Sequence, residues 1–186
     1  MEAHQPSAPY VCNTLEPQPA QVMRGALGLQ GGRVSGLELK VPPDVVWLAV
    51  GVIMWLASKL TPGLAVTLLL RLLVAAACVA VGVGLIVGAR VMLDRAHTTW
   101  HPTEPECTTI LVSGGVFRFS RNPTYLGMLL VLVGWGVVLA NPLAFVLSAI
   151  FAWWMSRFQI RPEERVLSAL LGQEYRDYAS GVRRWV

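Results

Sequence analysis

Between Leu64 and Ala89 the chain carries a single charged residue, Arg71. A helix over that stretch is long enough to cross a bilayer core and has no polar face to turn toward water. Three more runs share its character, at about Val45 to Leu60, Tyr125 to Ala140 and Leu143 to Phe158. Pro42-Pro43-Asp44 and Thr61-Pro62-Gly63 bracket the first, and Asn141-Pro142 separates the last two. These three fall short of the ~20 residues a spanning helix requires, and flanking Trp and Arg extend them into the interface. Packed as a soluble bundle, four such runs would leave nothing polar for solvent. The pattern therefore predicts an all-α polytopic membrane protein with four transmembrane helices, a cytoplasmic loop and a C-terminal amphipathic helix. Composition agrees: 54% of residues are hydrophobic and 14% charged, with mean hydropathy +0.54, whereas soluble domains are about a quarter charged. This balance excludes a disordered chain and argues against a soluble enzyme.

The net charge of +4 comes almost wholly from Arg. Because these Arg residues flank the apolar runs, they point to membrane orientation rather than to nucleic acid. Arg90, Arg95, Arg118 and Arg121 lie between the second and third runs, and Arg157, Arg161, Arg165, Arg176, Arg183 and Arg184 follow the fourth. By the positive-inside rule both segments face the cytoplasm, as do both termini, in what reads as a bacterial inner-membrane protein. Arg71 is expected to snorkel from the second run. Residues 1–38, rich in Pro, Gln and Gly, read as a disordered extension ahead of a membrane domain over 39–186, and Met23 is a candidate alternative start. They lack the apolar stretch of a signal peptide. Cys12, Cys78 and Cys107 are widely spaced and form no CxxC, so neither a disulfide framework nor a thiolate metal site is expected.

Polar residues concentrate in two cytoplasmic pieces, Asp94 to Tyr125 and Arg157 to Val186. His97 and His101 are four apart with Glu104 following, but Pro102 and Pro105 interrupt any helix there and no HExxH base is present, so no metal site is expected. No Ser/His/Asp or Cys/His set suggests a covalent nucleophile. In the tail, Pro162-Glu163-Glu164 has the form of a first helical turn, Val166, Leu167, Leu170 and Leu171 make an apolar stripe, and Gly172 is placed to stop it. On pattern alone this is a helix lying on the membrane surface. The short Asn141-Pro142 turn, however, makes the third and fourth runs a hairpin. It thereby brings Arg121-Asn122-Pro123-Thr124-Tyr125 close to Arg161, Glu163 and Glu164 in one interfacial pocket.

Two linked strings carry a family resemblance. One is Leu111-Val112-Ser113-Gly114-Gly115-Val116-Phe117 with Ser120-Arg121-Asn122-Pro123-Thr124-Tyr125-Leu126-Gly127. The other is Arg161-Pro162-Glu163-Glu164 with Leu171-Gly172-Gln173-Glu174-Tyr175, Tyr178 and Val182-Arg183-Arg184-Trp185. Together they resemble the isoprenylcysteine carboxyl methyltransferase and phospholipid methyltransferase superfamily over about Leu39 to Val186. The resemblance implies S-adenosylmethionine as cofactor, with its segment on Thr109, Ile110, Leu111, Val112, Phe117, Asn122, Pro123, Thr124 and Tyr125. It places the acceptor-side acid at Glu163, with Arg161 as its catalytic partner and Glu164 beside it as a cofactor contact. This chain has Asn122 where many relatives have His, and Gln159 where eukaryotic members have Arg.

Methyl transfer from a sulfonium is governed by positioning and electrostatics. Arg121 suits a bidentate pair with the methionyl carboxylate, and Tyr125 a ring beside the sulfonium. The implied acceptor is a lipophilic small molecule or lipidated substrate entering from the bilayer. Two other readings are an NADPH-dependent sterol-reductase-like enzyme and a non-catalytic membrane scaffold.

Overall fold

A computed structural model describes residues 41–96 and 110–186, and every regular element among them is helical. In chain order these are α1 (Pro43–Leu60), α2 (Leu68–Arg95), a 3-10 turn (Gly115–Arg118), α3 (Pro123–Leu139), α4 (Pro142–Met155), a π-helical segment (Ser156–Ile160), α5 (Arg161–Leu170) and α6 (Gly172–Gly181). Residues 1–38, His97, His101, Glu104, Cys107 and Thr109 lie outside the described residues.

Proline sets three of the starts. Pro43, Pro123 and Pro142 open α1, α3 and α4, where a missing N–H is harmless and φ is already helical. Asn141 caps α4 by accepting from Leu143 N at 2.9 Å, and its Nδ2 reaches Thr61 Oγ1 at 2.7 Å. Ala140 adopts a left-handed φ of 48° to close the α3–α4 turn, and its carbonyl accepts from Leu64 N at 2.6 Å. This bond ties the start of the second apolar run to the α3–α4 turn, and its helix begins at Leu68 rather than Leu64. At its other end α2 continues past Ala89 to Arg95.

The tail departs further from expectation. No helix starts afresh at Pro162, because α4, the π segment and α5 form one continuous helix over Pro142–Leu170. Pro162 has no N–H to offer and its ring crowds the carbonyl four residues back. Widening the preceding turn relieves that crowding: Arg161 N–H bonds the Ser156 carbonyl, five residues away.

α1, α2 and Pro142–Leu170 are long and apolar enough to cross a membrane, whereas α3 has 17 residues. Leu69 is 70% exposed and Leu73 61%. Such a surface requires lipid, and every helical backbone bond is made internally. The chain is an integral membrane protein. Its core packs Met54, Tyr125, Met128, Leu132, Phe151 and Met155 between α1, α3 and α4.

α2 and α3 pack along most of their length because Gly82 and Gly127 meet at the crossing. A Cβ on Gly82 would stand 2.7 Å from the Gly127 carbonyl, and one on Gly127 would strike the Gly82 carbonyl. Small residues at such a contact let two membrane helices approach backbone to backbone. Gly82→Ala is expected to destabilise by about 2 kcal/mol through overpacking. Gly84→Ala, whose Cβ meets nothing within 4 Å, is expected to be neutral or slightly stabilising. Thermal unfolding of both variants in detergent checks the contrast.

Candidate active site

The α3–α4 hairpin sets the start of α3 beside the start of α5. Tyr125, two residues into α3, donates its hydroxyl to Glu163 Oε2 at 3.2 Å. Among the described residues no cation pairs with Glu163. Its neighbour is held quite differently: Glu164 Oε1 lies 3.0 Å from Arg121 Nη2, and its Oε2 lies 2.6 Å from Arg184 Nη2. Arg184 Nε adds contacts at 3.1 and 3.2 Å. Two adjacent acids on one helix thus have separate jobs: one closes an ion-pair network, and the other has a phenol and no cation against it.

The chain's end completes this wall. Arg121 N donates to the Arg183 carbonyl at 3.0 Å, and Asn122 Nδ2 to the Arg184 carbonyl at 3.1 Å. Trp185 Nε1 reaches Ser156 Oγ at 3.1 Å, which ties the tail to the π segment. From α6, Tyr178 donates to the Phe117 carbonyl at 2.7 Å. Burial pushes the Tyr178 phenol up to about 12 and Tyr175 higher still, so both remain neutral hydroxyls. Pairing with Glu164 raises the Arg184 guanidinium above its ordinary value.

Tyr125, Glu163, Glu164, Arg121, Tyr175 and Tyr178 line a cavity of about 370 Å³, within the size range of small-molecule sites. Of the residues singled out from sequence, Ile110, Leu111, Val112, Phe117 and Arg121 line it. So do Asn122, Pro123, Thr124, Tyr125, Glu163 and Glu164. Arg161 does not; it is exposed at the first position of α5 and is not brought to the cavity. Thr109 is not described, and the described residues contain no group that could hold a metal.

Two expected roles change. The Arg121 fork is not free, since Nη2 pairs with Glu164 and Nη1 donates to the Ala179 carbonyl at 3.1 Å. Only its Nε is buried without a partner. Asn122 uses its side chain to hold the tail. Sequence reasoning also missed contributors: Asp44 and Trp47 from α1, and Arg90 and Leu93 from the last turns of α2, line the same cavity. Asp44 reads in sequence as a helix-start acid, and only its three-residue spacing from Trp47 hints at a shared face. Leu167 and Leu171 follow Glu163 at four-residue intervals and line the cavity with it. They belong to the stripe expected to face a membrane surface.

The phospholipid methyltransferase family model matches residues 70–174, more than half of the chain, from α2 through α5. Protein-S-isoprenylcysteine O-methyltransferase of Saccharomyces cerevisiae is 34% identical over 92 residues, covering 46% of this chain and 38% of that protein. Protein-S-isoprenylcysteine O-methyltransferase A of Arabidopsis thaliana is 39% identical over 72 residues, 39% of this chain and 36% of that protein. The chain therefore spans little more than a third of either enzyme. An uncharacterised protein of Haemophilus influenzae is 44% identical over 62 residues, 33% of this chain and 98% of that protein. On the extent of the family match, this chain belongs to the phospholipid methyltransferase family.

Proposed function

We propose that the protein is an S-adenosylmethionine-dependent methyltransferase acting on a lipophilic acceptor at the membrane interface. One observation carries the proposal: a single cavity is lined by residues of both motifs, among them Glu163, which has no cation against it, and Arg121, whose Nε is buried without a partner. An orphaned guanidinium donor suits a carboxylate. A carboxyl without a cation, beside the rings of Tyr125, Tyr175 and Tyr178, suits a positively charged ligand. The residues present therefore fit the cofactor.

When bound, S-adenosylmethionine supplies an electrophilic methyl group on a sulfonium. Arg121 would hold its carboxylate end through Nε, while Glu164 and Ala179 fix the guanidinium in place. Tyr125 fixes one oxygen of Glu163 and leaves the other to accept from, or take a proton from, the acceptor. An acceptor that is already a carboxylate needs no proton removed, and Glu163 then orients it. The apolar walls exclude water from the transfer. Four spans, with both termini in the cytoplasm, place this cavity at the cytoplasmic interface. Packing of α3 along α2 and its tight turn into α4 support α3 as the shortest span.

The test is the melting temperature of the detergent-purified protein with S-adenosylhomocysteine or NADPH. A ligand that binds only the native state stabilises by about 2.7 kcal/mol at a hundredfold excess over its Kd. S-adenosylhomocysteine is expected to raise the melting temperature and NADPH to leave it unchanged. A rise with NADPH alone would favour the reductase reading, and no rise with either would favour a scaffold.

A further inference from the structure

Among the described residues, the buried polar side chains of Ser120, Asn122, Asn141 and Ser148 all have hydrogen-bond partners. Gln159 does not. It is 0% exposed, and neither its amide nitrogen nor its amide oxygen has a partner among the described residues. Leaving a buried amide in that state costs more than a formed hydrogen bond returns, so its presence calls for a second arrangement in which it is satisfied. Gln159 stands in the π-helical turn, four residues before Glu163, and is not among the residues lining the polar cavity. Any influence it has on the cavity must therefore pass through a neighbour.

That neighbour is Tyr125, whose hydroxyl lies within reach of the Gln159 amide without a formed hydrogen bond between them. A phenol has one proton to give, and here it goes to Glu163 Oε2 at 3.2 Å. While Glu163 is a carboxylate it can only accept. The Tyr125 proton is then committed to it, and the Gln159 oxygen is left without a donor. A protonated Glu163 reverses the arrangement, because a carboxylic acid has a proton of its own to donate. That proton turns to the phenol oxygen, and the Tyr125 proton is released to the Gln159 amide oxygen. The amide that is unsatisfied beside the carboxylate is thus satisfied beside the acid.

We infer that Gln159 is a positioning residue that takes the Tyr125 proton whenever Glu163 is protonated, so that Gln159, Tyr125 and Glu163 form a relay with two hydrogen-bond directions. The source of the Glu163 proton rests on the proposed methyltransferase reading. An acceptor that carries a proton passes it to Glu163 as its lone pair forms the new bond to the methyl group, and the sulfonium takes back an electron pair as a neutral thioether. Glu163 is then a neutral acid inside an apolar wall, and the relay gives its proton a fixed partner at that moment. Asp44 of α1, Arg90 of α2, Arg121 ahead of α3, Glu164 of α5, and Tyr175 and Tyr178 of α6 also border the cavity. At one fixed pH their charges are common to every variant compared.

The test is a double-mutant cycle read by denaturation of the full chain in detergent at alkaline pH. Glu163→Gln stands in for the protonated acid, since its amide can donate to Tyr125. Gln159→Met removes the amide at nearly constant volume, and Gln159→Leu repeats the test in case methionine prevents folding. With Glu163 present, Gln159→Met is expected to raise stability, because an unpartnered amide leaves the core. In the Glu163→Gln background the same change is expected to lower it, with the two effects differing by about fivefold or more in the unfolding equilibrium constant, the worth of one net hydrogen bond. Adding Tyr125→Phe, which removes the central hydroxyl, is expected to abolish the reversal. Acidifying the chain that keeps Glu163 is expected to erode the advantage of Gln159→Met, as the acid forms and the relay turns. A merely space-filling Gln159 would give the same effect in both backgrounds and at every pH, and that result would overturn the inference, as would a reversal that persists in Tyr125→Phe. The cycle needs neither cofactor nor turnover, so it decides the relay by itself. The methyltransferase reading fails separately, if S-adenosylhomocysteine does not bind.

Discussion

Glu164→Ala is expected to lower stability by about 2–3 kcal/mol and to free the C-terminal tail. Removing one acid leaves Arg121 and Arg184 facing each other without an anion. The Arg121 and Glu164 side chains are only 14% and 15% exposed, so most of that repulsion is unscreened. Arg184 is 34% exposed and can turn toward water, which keeps the effect at the lower end for a buried pair. Once Arg184 turns away, its carbonyl no longer accepts from Asn122, and trypsin should cut after Arg183 or Arg184 at rates the wild type resists. Glu164→Gln retains an acceptor without the charge and should fall between. Glu174→Ala, exposed in the first turn of α6, should be nearly silent. Denaturation in detergent, run beside a limited-proteolysis time course, checks all three. Equal stability of Glu164→Ala and wild type would remove the network from the architecture of the site.

Arg121→Ala is expected to weaken S-adenosylhomocysteine binding by roughly 30-fold, the equivalent of about 2 kcal/mol for a charge-assisted bond at a desolvated site. Arg121→Lys should recover little. A lysine can meet Glu164 or the Ala179 carbonyl, but it has no third, differently directed donor in place of Nε. Stability will fall in both variants, so the decisive reading is calorimetric affinity at a temperature where each remains folded. Glu163→Gln provides the counterpart, with cofactor affinity close to wild type and turnover reduced for any acceptor found. Wild-type affinity in Arg121→Ala would remove that residue from the cofactor site.

Much of this architecture is legible in the chain because membrane helices advertise themselves. An apolar run broken only by Arg71, and a hairpin set by Asn141-Pro142, follow from the bilayer and from proline geometry without reference to tertiary detail. The pairing of the Arg121–Tyr125 segment with the Glu163 turn was legible for the same reason: a two-residue turn leaves antiparallel helices nowhere else to put their far ends. What stayed hidden depends on contacts distant in sequence. Nothing local distinguishes Glu163 from Glu164; their difference comes from Tyr125, 38 residues away, and from Arg184, 20 residues away. Asp44 and Trp47 join the site only because α1 packs beside α3. Arg161 looked chemical from its neighbours, yet its place on α5 turns it outward. Leu167 and Leu171 formed a stripe whose period was readable and whose partner was not.

The widened turn at Ser156–Ile160 has a consequence for how this chain tolerates change in length. An α-helix advances ~100° per residue, so the single extra residue in that turn sets the rotational phase of everything after it. Without it, α4 and α5 would still form one continuous helix of nearly the same length, and hydropathy would scarcely register the loss. Glu163 and Glu164 would instead be carried about a quarter-turn around the axis, away from Tyr125 and from the two arginines. Spanning the membrane and aiming the acids are thus encoded separately within one helix, the first by composition over many residues and the second by a count that a single deletion would upset.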